Sequence, residues 1–170
     1  MNRDNQQERL LKQLTISCLT WYIVGFVDGE GSFNISFRQK KDYVRKWQPV
    51  LSFNVSQKER TMLDLLQQYF NCGIIKTRGD GLHSYDVTNP IQLWEIIIPF
   101  FEKHQFISKT KLINFKLFKQ AVKIMYQKKH LQINGLKQIV LIREKLNVGA
   151  GRTRKYNATD ILKESSETIR

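Results

Sequence analysis

The 170-residue chain reads as an α+β domain on three observations. An apolar segment with helical spacing, residues 15–30, is followed at once by two segments that alternate strictly between apolar and polar residues. A second pair of strand-like segments flanks Gly79-Asp80-Gly81, a strong hairpin signal. Beyond residue 90 the apolar residues recur with helical period. The element order is an αββαββα core with extra C-terminal helices. Four antiparallel strands with helices on one face make an α+β domain.

Residues 1–14 are polar and read as an N-terminal arm. Residues 15–147 form a single domain, long enough to bury its own core. In the first helix, Ile16, Leu19, Ile23, Phe26 and Val27 fall near helical spacing. Gly25 and Gly29 lie four apart on one face, so a second backbone can approach closely there. Segment 32–38 puts Phe33, Ile35 and Phe37 inward and Ser32, Asn34, Ser36 and Arg38 outward. The charged run Gln39 to Lys46 is a hairpin loop. Segment 47–57 puts Leu51, Phe53 and Val55 inward and Gln48, Val50, Ser52, Asn54 and Ser56 outward. Ser56 then heads a helix near 58–70, with Met62, Leu65, Leu66 and Phe70 apolar. Strands over 73–78 and 82–88 form the second hairpin. Helices are expected at about 90–103, 109–129 and 134–147. Residues 148–170 form a basic tail, Gly- and Arg-rich at first and closed by a short polar helix.

The net charge is +13, from 28 Lys+Arg against 15 Asp+Glu. Residues 101–170 carry 16 basic and 5 acidic residues and so supply +11 of it. Such an excess suits a polyanion. No apolar run approaches the roughly 20 residues of a spanning helix, and no signal peptide is evident, so a nucleic acid is favoured over a membrane. Cys18 and Cys72 have no metal-ligand spacing and read as reduced thiols in or near the core of an intracellular protein. His83, His104 and His130 are scattered and suggest no zinc site.

Against that basic background the first helix ends in Asp28-Gly29-Glu30-Gly31. A carboxylate near a helix C-terminus is opposed by the dipole, so helix stability does not explain Glu30. Holding a divalent cation against DNA phosphate does. The second clue is the open, polar sheet face beside it. A two-stranded ribbon fits the DNA major groove, where base edges differ for all four pairs. Ser36, Arg38, Gln48, Asn54, Lys76, Arg78, Ser84 and Asp86 offer varied hydrogen-bonding groups there. Arg and Lys suit guanine, Asn and Gln suit adenine, and Asp accepts from cytosine. A ten-residue strand, about 33 Å long, follows about ten base pairs.

Residues Ile23-Val24-Gly25-Phe26-Val27-Asp28-Gly29-Glu30-Gly31 resemble the nine-residue motif of the LAGLIDADG homing endonuclease family. Gly25, Asp28 and Gly31 are identical to it, and Phe26 and Val27 are conservative. Asn54 to Arg60, Asn71-Cys72-Gly73-Ile74-Ile75, Ile98-Pro99-Phe100-Phe101, and His130-Leu131 to Gly135-Leu136 are similar to the family's other segments, in order and at family spacing. The resemblance covers most of the chain.

It implies a saddle-shaped sheet and a motif helix that pairs with a second copy. Only one copy of the motif is present, which implies a homodimer in contact through Ile16, Leu19, Ile23, Gly25, Phe26 and Gly29. The dimer would read a partly palindromic double-stranded DNA site of about twenty pairs. The implied DNA-binding set is Ser32, Asn34, Ser36, Arg38, Lys40, Gln48, Val50, Ser52, Asn54, Lys76, Arg78, Ser84 and Asp86. Glu30 matches the metal-binding acid and the backbone carbonyl of Gly29 a second metal ligand. Many members carry Asp where Glu30 stands. Asp28 matches the first acid and reads as structural. Gln57 matches a water-orienting residue, and Lys109 a basic residue near the scissile phosphate, with Lys111 the alternative. A further basic position falls on Thr61, with Arg60 one residue earlier. Val24 replaces a smaller alanine.

The implied cofactor is Mg²⁺, with Mn²⁺ or Ca²⁺ as substitutes. The implied reaction is hydrolysis of one phosphodiester per strand, leaving short 3′ overhangs and promoting intron mobility. The alternatives are a maturase that binds intron RNA and a non-catalytic DNA-binding regulator. Abundant Ile, Lys, Asn and Phe fit an AT-rich organelle genome, chloroplast or mitochondrial.

Overall fold

A computed structural model describes residues 16–40, 46–148 and 154–167. The expected arm lies outside them, as do 41–45 of the first hairpin loop. Helix α1 (Ile16–Glu30) runs without a loop into strand β1 (Gly31–Gln39). Gly31 makes this junction feasible. A Cβ there would lie 2.5 Å from Val27 Cγ1 and 2.7 Å from the Val27 carbonyl oxygen.

Strand β2 (Trp47–Gln57) pairs antiparallel with all of β1, Gly31 opposite Val55 and Gln39 opposite Trp47. Helix α2 (Thr61–Phe70) starts later than the alternation suggests. Ser56 does not head it, because that residue stays in the ladder opposite Ser84. Asn71, left-handed at φ 47°, ends α2. Strands β3 (Ile74–Thr77) and β4 (His83–Val87) complete an antiparallel sheet ordered β1-β2-β4-β3.

The expected helix over 90–103 is broken into α3 (Pro90–Gln92), a π turn over Leu93–Ile97, and α4 (Ile98–Lys103). Pro99 has no N–H for the Glu95 carbonyl, and its ring crowds that oxygen. The ladder is reset by a longer bond from the Ile98 N–H to the Leu93 carbonyl. Helix α5 (Lys109–Tyr126), a 3₁₀ turn (Lys129–Leu131), α6 (Ile133–Lys145) and α7 (Ala158–Glu167) follow. Lys128, at φ 56°, stops α5 short of residue 129.

The inward alternation is realised: Phe33, Ile35, Phe37, Leu51, Phe53 and Val55 are all buried. Phe33 is the hub. Its ring meets those of Phe53, Phe101, Phe106, Phe115 and Phe118 at centroid distances of 5.1 to 6.3 Å. Such contacts add about 0.5–1.5 kcal/mol each beyond area burial, and they fix α4 and α5 beneath β1. The sequence beyond 148 is not simply a tail. Tyr156 packs edge-on against buried Trp47 at 4.7 Å, and Ile161 is fully buried. Cys72 is buried as expected, whereas Cys18 is exposed, because its helical phase is that of Tyr22 and Gly25. Among the described residues no helix is long and apolar enough to cross a membrane.

Candidate active site and nucleic-acid interface

Helical phase decides what the end of α1 presents. Ile23, Val24 and Val27 are buried on one side, while Gly25 and Gly29 are exposed on the other; Glu30 shares the phase of Ile23 and Val27 but is exposed because it closes the helix. The last carbonyls of the helix have no intrahelical partner and carry its negative end. Glu30 adds a carboxylate to them. These hard oxygen donors suit Mg²⁺, which commonly takes only one or two carboxylates and completes its shell with water and substrate phosphate. Among the described residues no cluster of three or more His, Cys, Asp and Glu could hold a metal.

Helix α5 is bound to this end from across the sequence. One carboxylate oxygen of Asp28, Oδ2, accepts from the backbone N–H of Ile107 at 3.2 Å and of Ser108 at 3.0 Å. Ser108 is the N-cap of α5, yet its hydroxyl makes no capping bond. Oδ1 of Asp28 is buried and has no hydrogen-bond partner among the described residues. From the first turn of α5, Lys111 Nζ donates to the carbonyl of Gly31. Lys111 is half-buried. Burial pushes its pKa below the usual lysine range, and the charges of Asp28 and Glu30 partly restore it.

Of the alternative lysines, the structure brings Lys111 to the motif. Lys109 is exposed. Two residues apart, the side chains point about 200° away from each other around the helix. Gln57 is the half-buried last residue of β2, two beyond Val55, the partner of Gly31. It therefore stands at the same end of the sheet as Glu30. Arg60 is exposed and engaged locally, its Nε 2.9 Å from Asp64 Oδ1 at i, i+4.

The expected contact face of α1 needs correction. Ile23 is completely buried, and Leu19 and Phe26 pack against the chain's own core. The side chain of Ile16 lies outside the described residues. The outward face is Cys18, Trp21, Tyr22, Gly25 and Gly29. A Cβ placed on Gly25 or Gly29 would meet nothing within 4 Å. Trp21 and Tyr22 are 54% and 49% exposed. The signal missed in the sequence was phase: both aromatics lie on the glycine side.

The outer sheet face carries the expected row of polar groups. Register places Arg38 opposite Gln48, Ser36 opposite Val50, and Asn34 opposite Ser52. A second row runs Ser32, Asn54, Asp86, Ile74. Ile74, 52% exposed, was not singled out, although the alternation with Lys76 and Arg78 could have found it. Several groups are paired within the sheet. Asn34 Nδ2 donates to Ser32 Oγ at 3.0 Å and Asn54 Oδ1 at 3.1 Å. Lys76 pairs with Asp86 at 3.3 Å, and Arg78 with Asp80 at 3.1 Å. Ser84 lies opposite Lys76. Lys40, just past β1, is exposed. Asn147, from beyond α6, donates to the Phe33 carbonyl at 2.8 Å and so satisfies part of the β1 edge.

The LAGLIDADG endonuclease family model matches residues 23–122, which hold the motif half of α1, the whole sheet and α5 through Val122. The chain belongs to the LAGLIDADG endonuclease family. It is 36% identical over 145 residues to a probable intron-encoded endonuclease of Neurospora crassa, covering 83% of this chain and 32% of that protein. The LAGLIDADG chain thus spans about a third of that relative's length. Among solved structures it resembles the archaeal intron-encoded homing endonuclease I-Vdi141I complexed with DNA. The TM-score is 0.81 at 26% identity, over 88% of this chain and 95% of that one. The meganuclease I-SmaMI bound to uncleavable DNA matches with a TM-score of 0.72 at 37% identity, over 76% of this chain and 45% of that one.

Proposed function

We propose that this chain is the subunit of a homodimeric, site-specific DNA endonuclease that promotes intron mobility. The observation that carries the reading is the convergence at one sheet end of an exposed Glu30, the free carbonyl end of α1, and a half-buried Lys111, beside an open polar sheet face. Two copies related by a two-fold axis, joined through the Gly25 and Gly29 face, would bring two Glu30 carboxylates together. That symmetry calls for a partly palindromic site of about twenty base pairs. DNA bound in structures of the relatives supports the choice of substrate.

Glu30 and the Gly29 carbonyl are the residues that would hold a divalent cation, Mg²⁺ by preference for hard oxygens. A cation bound there supplies Lewis acidity toward the scissile phosphate and its attacking water. The Lys111 ammonium, held by the Gly31 carbonyl, offsets charge that grows on the phosphate. Gln57 orients solvent at the same end. Arg38, Lys40, Gln48, Val50, Ser52 and the rest of the outer face lie along the major groove. One phosphodiester in each strand is hydrolysed, which leaves short 3′ overhangs. The relative in Neurospora crassa is named a probable intron-encoded endonuclease, which supports an intron, in our reading an organellar one, as the source.

The test is cleavage of a randomised DNA library with Mg²⁺, alongside Glu30→Gln. Discrete double-strand cuts at one long, partly palindromic sequence, lost in E30Q while DNA binding persists, are expected. Binding without cuts by the unaltered chain would leave a regulator, and failure to bind DNA at all would leave an intron-RNA partner.

A further inference from the structure

We propose that Asp28 is a positioning residue: it clamps the first turn of α5 to the end of α1 and so sets Lys111 against the scissile phosphate. The inference rests on the assignment of Lys111 made above.

Three facts converge on it. The Asp28 carboxylate takes both N–H groups at the entry to α5, from residues 79 and 80 positions away. Lys111, three residues beyond Ser108, returns to Gly31, three residues beyond Asp28. The two tethers therefore join the same helix end to the same helical turn, from opposite directions. The third fact is a missing bond. Ser108 stands at the N-cap with a residue type suited to capping, yet its hydroxyl caps nothing. The cap is supplied instead by an acid from the motif. A carboxylate at a helix N-terminus also meets the positive end of the dipole.

Lys111 has a long side chain whose stem must be aimed. With the Gly31 carbonyl as its hydrogen-bond partner, its ammonium position follows from where the first turn of α5 sits. Within residues 104–111 the buried Phe106 ring anchors the approach to α5 against Phe33, Phe101 and Phe115, but the Ser108 capping side chain is unused, so the N–H groups that open the helix are held by Asp28. Loss of the clamp should displace the ammonium while leaving the sheet face, and hence DNA affinity, unchanged. A displacement of about 1 Å can lower a rate about a hundredfold.

The experiment is a double-mutant cycle on the single-turnover cleavage rate at saturating DNA and Mg²⁺, with DNA affinity and Tm measured in parallel. Asp28→Ala should lower the rate about 10- to 100-fold with DNA affinity retained. Asp28→Asn keeps an acceptor oxygen and should restore most of that loss. Ser108→Pro removes one of the two N–H donors while suiting the φ of −67° found there. It keeps Asp28 intact and should lower the rate several-fold. It also serves as the variant of record should D28A fail to fold. Neither D28A nor S108P should lower the rate further in a Lys111→Ala background. A full additional loss in that background overturns the clamp, as does an Asn variant no better than Ala. A Lys111→Ala chain that cleaves at the unaltered rate overturns the lysine assignment itself, and the clamp with it.

Discussion

The end of α1 and the outer face of the sheet are both polar and both accessible, but they are built in opposite ways. The sheet face follows from local alternation. Each outward residue is there because its neighbours point inward, and its polar contacts link adjacent strands or neighbouring residues, as in Asn34 with Ser32 and Asn54, or Arg78 with Asp80. The helix end is assembled by bonds that span 79 and 80 residues, Asp28 to Ile107 and Ser108, and Lys111 to Gly31. A surface made of many independent groups can change one group at a time. A site made of interlocked long-range bonds cannot. Substitutions at the helix end should therefore act on rate or on folding, and those on the sheet face on affinity and base preference.

The largest expected effect is that of E30Q. Loss of the carboxylate removes several kcal/mol of cation-mediated stabilisation, which corresponds to a cleavage rate lower by about a thousandfold or more. DNA binding, read by gel shift, should survive. Loss of binding along with cleavage would erase the contrast between the two regions. Next comes K111A, expected to lower the single-turnover rate about 10²- to 10³-fold, while K109A stays near the unaltered chain. A larger loss in K109A than in K111A would return the lysine role to position 109.

The protonation of Lys111 gives a pH signature. Burial lowers its pKa, so the ammonium is lost as pH rises, earlier than in a free lysine. The pH–rate profile should fall on its alkaline side, and Lys111→Arg, which stays charged, should flatten that fall.

Gly31→Ala tests folding at the junction. The added Cβ would press on the Val27 backbone and side chain, at a cost of about 1–3 kcal/mol, seen as a lower Tm. An unchanged Tm would show that the junction has slack. Smallest per site are Arg38→Ala and Gln48→Ala. Each should relax preference at its own base pair by about 1–3 kcal/mol in a binding-site selection, with the cleavage rate at saturation unchanged. Asn34→Ala should do less, because its amide hydrogens are already engaged within the sheet.

The sequence alone carried the strand pattern, since a period of two is a local property that packing does not revise. Phe33, Ile35 and Phe37 on one face and Ser32, Asn34, Ser36 and Arg38 on the other could be read directly. So could the acid at the end of the first helix, because an apolar run closing in Asp28-Gly29-Glu30-Gly31 is legible without a partner. Helix boundaries were less legible where a single residue competes with periodicity. Pro99 forces the π turn, and Lys128 ends α5. Helical phase was the other shortfall. Leu19, Ile23 and Phe26 have the right chemistry for a contact between copies, but the sheet lies on their side of α1 and claims them, which leaves Trp21, Tyr22, Gly25 and Gly29 facing out.

What only the tertiary structure decided is which residues from the second half of the chain meet the motif. Which of Lys109 and Lys111 reaches the Gly31 carbonyl depends on the rotation of α5, set by Phe115 and Phe118 packing on Phe33. The use of Asp28 as a cap depends on the entry to α5 arriving beside it. Neither is encoded in spacing, because contacts between residues 80 positions apart follow from how the aromatic core closes.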